Sequence, residues 1–455
     1  MAGTVASNGA LPSLGKLATH GRPDNWTTLG RIQSGMVLDF TSATISDTLA
    51  ARGFTFTRSG ATATRVNSSG VLETVAANTL RIDHDPTTLA CLGGLFEEAS
   101  TNAIRNSTMV GAAAGSPGTL PTNWGSPAYG PDGISFEVVG TGTESGIAYI
   151  DIRAYGTPSA TDFVRISMET NTGVVAATGQ TWCVSAYVAL VGGSFANTTG
   201  AGLGLLERTS GGAFVADGNT PITVTSGALA GKRYTYARTL AGGATTGAVV
   251  PQVLIRGVTS GNPIDVTIRI GAPQLEQKAF ATSYIPTSTA AVTRNADALT
   301  LGDLSRIGFN PAASSVIAQG RILGQSALVY PGVVVLGIGV EGDKVVLYRD
   351  GASSRFSVDA KTAGVIQYSL SVTAAPATGA EYKTAFAFAA NDASQTTSGA
   401  APVKDASVAL STILDRMSIG GFQARGGGTN GAQIIRRVDY YPRRLPDAEL
   451  QTITT

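Results

Sequence analysis

The chain has 455 residues, of which 14% are charged, and its 32 Lys and Arg nearly balance 31 Asp and Glu, for a formal net charge of +1. That balance gives no electrostatic reason to expect nucleic acid or an acidic membrane surface as partner. The length points to two or three domains, and 57 glycines with so few charges suit packed β-sheet better than long helices or a charged disordered tail.

Residues 1–36 form a leader with a single tryptophan, Trp26, in RPDNWTTLGR and no amphipathic period. It reads as an attachment arm that orders only against a partner or a neighbouring subunit, with Trp26 as its docking residue; a disordered tail is the alternative. Its first apolar stretch is short and broken by Pro12, Gly15 and Lys16, unlike a secretory signal. No apolar run anywhere approaches the ~18 residues of a membrane span, so no membrane insertion is expected.

From Met36 the pattern turns to β. MVLDF, GFTFTRSGATATRVNSSGVLETV and LRIDHDP alternate apolar and polar residues between Gly and Ser turns. We assign 37–105 as a β lead-in that packs on the next domain. Residues 106–285 hold further period-2 segments, among them GIAYIDIRAYG, TWCVSAYVAL and IDVTIRIGAPQLEQ, at the spacing of an antiparallel jelly-roll sandwich. A connector follows at 286–313, and a second sandwich at 314–455. In the latter, KVVLYRDGASSRF reads as a hairpin with an Asp-Gly turn, and LPDAELQTI as a short terminal helix capped by Asp447. The predicted fold class is therefore all-β, an N-terminal extended arm followed by two antiparallel β-sandwich domains.

The chemistry in the chain is sparse. Its only two histidines are His20 and His84, and no GxSxG elbow, P-loop or HExxH is present. Asp83, His84 and Asp85 in RIDHDP invite a metal reading. The simpler one is a strand end whose Asp side chains hold backbone N–H groups before Pro86. Glu97 and Glu98 are a carboxylate pair, yet neighbours on a strand point to opposite faces, so they cannot flank one glycosidic bond. Cys91 and Cys183 lie far apart with no zinc-ligand spacing and read as buried free thiols. No cofactor is expected; a structural calcium held by loop acids such as Asp132 and Glu137 is the one exception considered.

Sugar recognition uses exposed aromatic faces framed by planar polar groups. Two loops offer them: Trp124 and Tyr129 in LPTNWGSPAYG, and Phe422, Arg425 and Asn430 in IGGFQARGGGTNG. Ordinary packing is the competing account for each aromatic.

The segments FTRSGATATRVNSSGVLETVAANTLRIDHDP, LGGLFEEASTNAIRNS, LPTNWG and GAPQLEQKAFATSYIPTSTAAVTRNAD, taken as an ordered series, resemble tailed-phage and prophage structural proteins. In these a lead-in precedes a carbohydrate-binding-module-like jelly roll. The C-terminal stretches KTAFAFAANDASQ, DRMSIGGFQ and IRRVDYYPRRLPDAELQTIT resemble the concanavalin A-like, laminin-G-like domain that closes such chains. The resemblance covers about residues 37–455 and extends to the head spikes of gene transfer agents. It implies a non-enzymatic virion fibre or spike subunit, made in the bacterial cytoplasm and displayed on the particle surface. There it would attach to host capsular or surface polysaccharide. It also implies a homo-oligomer, a trimer first and a pentamer on a capsid vertex second, joined to other particle proteins through the arm. It transfers no catalytic residue. The alternatives are a purely structural baseplate, collar or spike-base protein, and a glycan depolymerase, against which the lack of a repeat period counts.

Overall fold

A computed structural model describes residues 35–455, apart from 61, 126–128, 242–244, 326–329, 340–341 and 421–430. The chain divides into two compact units, Met1–Gln33 and Ser34–Thr455, and the described residues all belong to the second. Trp26, Phe422, Arg425 and Asn430 all fall outside the described residues.

The second unit is all-β, with antiparallel pairing in every named sheet. Among the described residues the α-helices are two short ones, Ile45–Arg52 and Asp447–Thr454. Two sandwiches account for most of the strands. In the first, a four-stranded sheet runs in the order Asp162–Ser167, Ala248–Val258, Ala201–Arg208, Phe214–Ile222. It faces a five-stranded sheet ordered Arg233–Thr239, Thr181–Ser194, Ile264–Glu276, Ile147–Gly156, Ile134–Glu144. The chain passes back and forth between these sheets, so the connectivity is that of a jelly roll. Inward-pointing alternate residues such as Val164, Ile166, Leu203, Leu205, Val253 and Ile255 form one continuous apolar core between them.

The second sandwich does not begin at residue 314. Its eight-stranded sheet includes Met36–Asp39, Arg81–His84 and Cys91–Glu97, and its seven-stranded sheet includes Phe54–Thr57 and Ala298–Leu301. Met36 lies opposite Tyr440, and Phe54 opposite Leu301. Met36, Leu38, Phe40, Phe54 and Phe96 share one core with Leu299, Val334, Phe386 and Ile435. The jelly roll is thus inserted into the second sandwich. The chain leaves through Ser100–Asn102 and returns through the strand paired with it, Val292–Arg294. This corrects two expectations. The 37–105 segment supplies strands to the far sandwich, while its hairpin Ala63–Val75 and the stretch from Glu98 onward pack on the jelly roll; Leu72 donates its N–H to Ser145 O at 2.9 Å, and Asn102 accepts the Leu275 N–H. The 286–313 segment carries strands and is no mere connector. The physical cause is that period-2 alternation records a buried face but not the strand beside it, and here those partners lie hundreds of residues away.

Two local readings change in detail. The hairpin Lys344–Arg349 with Phe356–Thr362 forms as expected. Its loop is longer than a tight Asp-Gly turn: Asp350 N–H donates to Arg355 O, and the Asp350 carboxylate accepts the Ser353 N–H. The terminal helix starts at Asp447 with Pro446 before it, but no side chain caps it. The Asp447 carboxylate is engaged by Arg444 and Lys404 instead.

At the insertion point the chain buries charge. Arg58, Arg81 and Arg294 surround Glu97 and Asp297, with all five side chains essentially inaccessible. Asp297 receives Arg58 at 3.1 Å and Arg81 at 2.5 Å, while Glu97 receives Arg81 at 2.8 Å. Charges this deep persist only when paired and hydrogen-bonded. Beside them runs a buried polar seam. Glu276 accepts from Ser100 and Thr282 hydroxyls, and Asn102 bridges Pro273 O, Ile285 O and the Leu275 N–H. Ser107, Tyr284 and Thr287 close it. The residues of EEASTNAIRNS and PQLEQKAFATSYIPTS therefore tie the two sandwiches together.

Candidate functional site

The outer face of the four-stranded sheet carries a groove of about 560 Å³. Its position follows from alternation. With Val164 and Ile166 turned into the core, Arg165 and Ser167 face out; with Leu203 and Leu205 inside, Leu206 and Arg208 face out. Register sets the cross-strand rows: Ser167 opposite Gln252, Gln252 opposite Gly204, Gly204 opposite Asn219. Gly204 adds no side chain to this face, which keeps the sheet centre low. Gln252 and Leu206 form the floor, and the Gln252 amide donates to the Ser167 hydroxyl at 2.9 Å.

Two aromatic side chains stand on opposite flanks. Tyr129, 61% exposed, is held by backbone pairing with Arg165, and the Arg165 guanidinium lies 5.8 Å from its ring centre. Phe214, 62% exposed, begins the strand on the other side, opposite Arg208. Arg165 reaches the Asp162 carboxylate through both terminal nitrogens, at 3.1 and 3.3 Å. Although burial opposes ionisation of Asp162, Arg165 and the Phe163 N–H hold its carboxyl below the usual range. Arg208 donates to Gly212 O at 3.3 Å, and its Nε is buried with no hydrogen-bond partner among the described residues. Asp217, Thr170 and Asn171 complete the polar lining. The groove thus offers two apolar ring faces with donors and acceptors between them, the combination that a pyranose ring with polar edges requires.

Of the sequence candidates, Tyr129 is a groove residue. Trp124 is not: it is 4% exposed, sits in the jelly-roll core, and its indole N–H donates to Asn106 O at 2.8 Å. Its ring faces are spent on packing. Phe214, Arg165, Arg208, Asp217 and Gln252 were not legible as site residues. Only the outward phase of their strands distinguished them, and that phase marks any solvent-facing residue.

The other candidate chemistry is engaged elsewhere. The Asp83 carboxylate accepts the Val66 N–H at 2.7 Å, and Asp85 accepts those of Thr87 and Thr88, as the strand-end reading expects. His84 contacts Val66 O at 3.3 Å. Glu97 belongs to the buried cluster, whereas Glu98 meets Lys278. Glu137 pairs with Arg153, and among the described residues no group of three or more His, Cys, Asp or Glu converges as a metal site. Cys183 is a buried free thiol, its pKa pushed up to about 12 by burial first and then by Glu276. Cys91 is free but only half-buried. A second depression, about 470 Å³ on the outer face of the five-stranded sheet, is lined by charges that already satisfy one another: Arg153 with Glu137 and Asp265, and Arg269 with Asp151.

No family model and no curated protein matches the sequence. Solved structures similar to part of the chain include the CBM40 of Ruminococcus gnavus IT-sialidase bound to α2,3-sialyllactose. It shares 19% identity over 32% of this chain and 84% of that one, at a TM-score of 0.27. Domain 4 of AbnA, a GH43 extracellular arabinanase from Geobacillus stearothermophilus in complex with arabinotriose, shares 11% over 35% and 73%, at 0.29. Trypanosoma rangeli sialidase with the inhibitor DANA shares 14% over 35% and 27%, at 0.27. TM-scores this low describe a likeness of about a third of the chain and assign it neither ligand nor activity.

Proposed function

We propose that this chain is a non-enzymatic glycan-binding fibre or spike subunit of a tailed-phage-like particle, attaching it to polysaccharide on the host surface. One observation carries the glycan reading: Tyr129 and Phe214, both more than half exposed, flank a groove floored by Gln252 and Leu206 and lined by polar side chains. The particle setting rests on the resemblance of the ordered motifs. The subunit is made in the bacterial cytoplasm and functions on the particle surface as a homo-oligomer, a trimer or, on a vertex, a pentamer. The 1–36 arm and Trp26 dock it to other particle proteins. The loop with Phe422, Arg425 and Asn430 is a second proposed sugar contact. No cofactor is invoked, with structural calcium the one exception. Many weak sites on one particle add through effective concentration, so each can be weak alone.

A glycan array, with pull-down on purified capsular polysaccharides, tests the reading. The assembled oligomer is expected to bind. Tyr129→Ala and Phe214→Ala should each lower affinity about five- to tenfold, as expected for an aromatic contact of about 1–1.4 kcal/mol. Absence of binding by the oligomer would sink it. One feature favours the purely structural alternative. The edge strand Val365–Ser371 exposes Val365 and Ile366, an apolar edge suited to a neighbouring subunit.

A further inference from the structure

We infer that the groove reads the terminal residue of a glycan and not an internal stretch of chain, an inference that rests on the glycan-binding reading above. Its basis is the way one end is shut. Strand Asp162–Ser167 runs beside Ala248–Val258 until the Met168 N–H donates to Pro251 O at 2.9 Å. Pairing resumes only where the Val249 N–H donates to Val174 O at 3.0 Å and the Ala176 N–H to Gly247 O at 3.1 Å. Between these points the backbone loops out of the sheet.

The loop is pinned at its base. The buried Glu169 carboxylate accepts both the Arg105 guanidinium and the Arg105 N–H at 2.6 Å, and the Gly173 N–H returns to Thr170 O at 3.0 Å. Its tip reaches across the sheet. Asn171 Cβ and Thr172 Cγ2 each lie 3.4 Å from where a side chain on Gly212 would begin. Gly212 belongs to the turn between Ala201–Arg208 and Phe214–Ile222, which is the opposite flank. The flanks therefore meet at this end, with Thr170 and Asn171 lining the groove beside Arg208. At the far end the described lining is Asp162, Arg165 and Tyr129, all from one flank.

Arg208 stands at the closed end. Several nearby guanidiniums are taken by carboxylates, Arg165 by Asp162, Arg105 by Glu169 and Arg238 by Glu207, and Arg256 on the same sheet face bonds the Asn219 amide oxygen. Among the described residues Arg208 has only the Gly212 carbonyl, and its buried Nε has no partner there. A cation with unused donors at the bottom of a dead-ended groove suits the hydroxyls or carboxylate of a last sugar. A polymer continuing past Arg208 would run into the loop.

The test compares a panel of purified capsular polysaccharides, each native and sonicated to about tenfold shorter chains, binding to the full-length oligomer at equal mass. Terminal recognition predicts that the mass concentration at half-saturation falls about tenfold on sonication, because ends multiply while sugar mass does not. Arg208→Ala should lose binding more than tenfold with an unchanged melting temperature, and Arg208→Lys should restore part of it. Binding with the same mass midpoint before and after sonication overturns terminal recognition and leaves glycan binding standing. Unchanged binding by the Arg208→Ala protein also overturns it. No binding to any polysaccharide in either form removes the underlying glycan reading as well.

Discussion

Replacing Asp83 with Asn should stabilise the protein at neutral pH and have little effect in mild acid. Asp83 lies on strand Arg81–His84, with its Oδ1 accepting the Val66 N–H at 2.7 Å. Burial raises its pKa, the nearby Glu97 charge raises it further, and Arg81 opposes without prevailing, so that it reaches about 6 from an ordinary 3.8. The folded state therefore holds this proton more tightly than the unfolded chain. Stability falls as pH rises from about 4 to about 6, and above that the ionised carboxylate costs the fold about 3 kcal/mol. Asn retains the acceptor for Val66 and removes the charge. Urea unfolding followed by tryptophan fluorescence should give curves for Asp83→Asn and wild type that nearly coincide at pH 4. At pH 7.5 the variant should be the more stable by up to about 3 kcal/mol. Equal differences at the two pH values, or a loss at pH 7.5, would refute the reasoning, because either result means that Asp83 ionises in the fold without penalty.

Arg81→Met removes the guanidinium that bridges Glu97 and Asp297 but leaves Arg294 on one and Arg58 on the other, and should destabilise in denaturant titrations by less than the about 3–5 kcal/mol of a wholly unpaired buried charge. The Glu97 carboxyl is held near 2: burial raises its pKa, but Arg294 and Arg81 outweigh that. Its folded value lies below its unfolded one, so the stability it contributes is present above about pH 4.5 and declines towards pH 2; acid melts of Glu97→Gln should lack this slope. Trp124→Ala leaves a cavity in the jelly-roll core and should cost about 3–5 kcal/mol, visible as a lower melting temperature. If the proposed particle role holds, removing residues 1–33, which stops short of the core strand that starts at Met36, should leave a folded protein that no longer joins the particle, checked by incorporation into assembled particles.

Much of this protein was open to a reading of the chain alone. Low charge, abundant glycine and period-2 alternation define an all-β protein, because a strand that buries one face writes that face into every second residue. The same logic separated Glu97 from Glu98 and assigned the Asp residues around His84 to backbone N–H groups. Tyr129 stood out as a loop aromatic. Pairing was decided only by the folded chain. Nothing near Met36 or Phe54 announces that Tyr440 and Leu301 lie opposite them, so the lead-in could not be recognised as part of the last sandwich, nor the jelly roll as an insertion. Trp124 and Tyr129 lie five positions apart in one loop, yet one ring is enclosed and the other is bare. That difference, like the meeting of Tyr129, Phe214 and Arg208 around one groove, depends on register and on a loop crossing between strands distant in sequence. Local alternation fixes neither, because it specifies which face of a strand is buried and not which strand lies beside it.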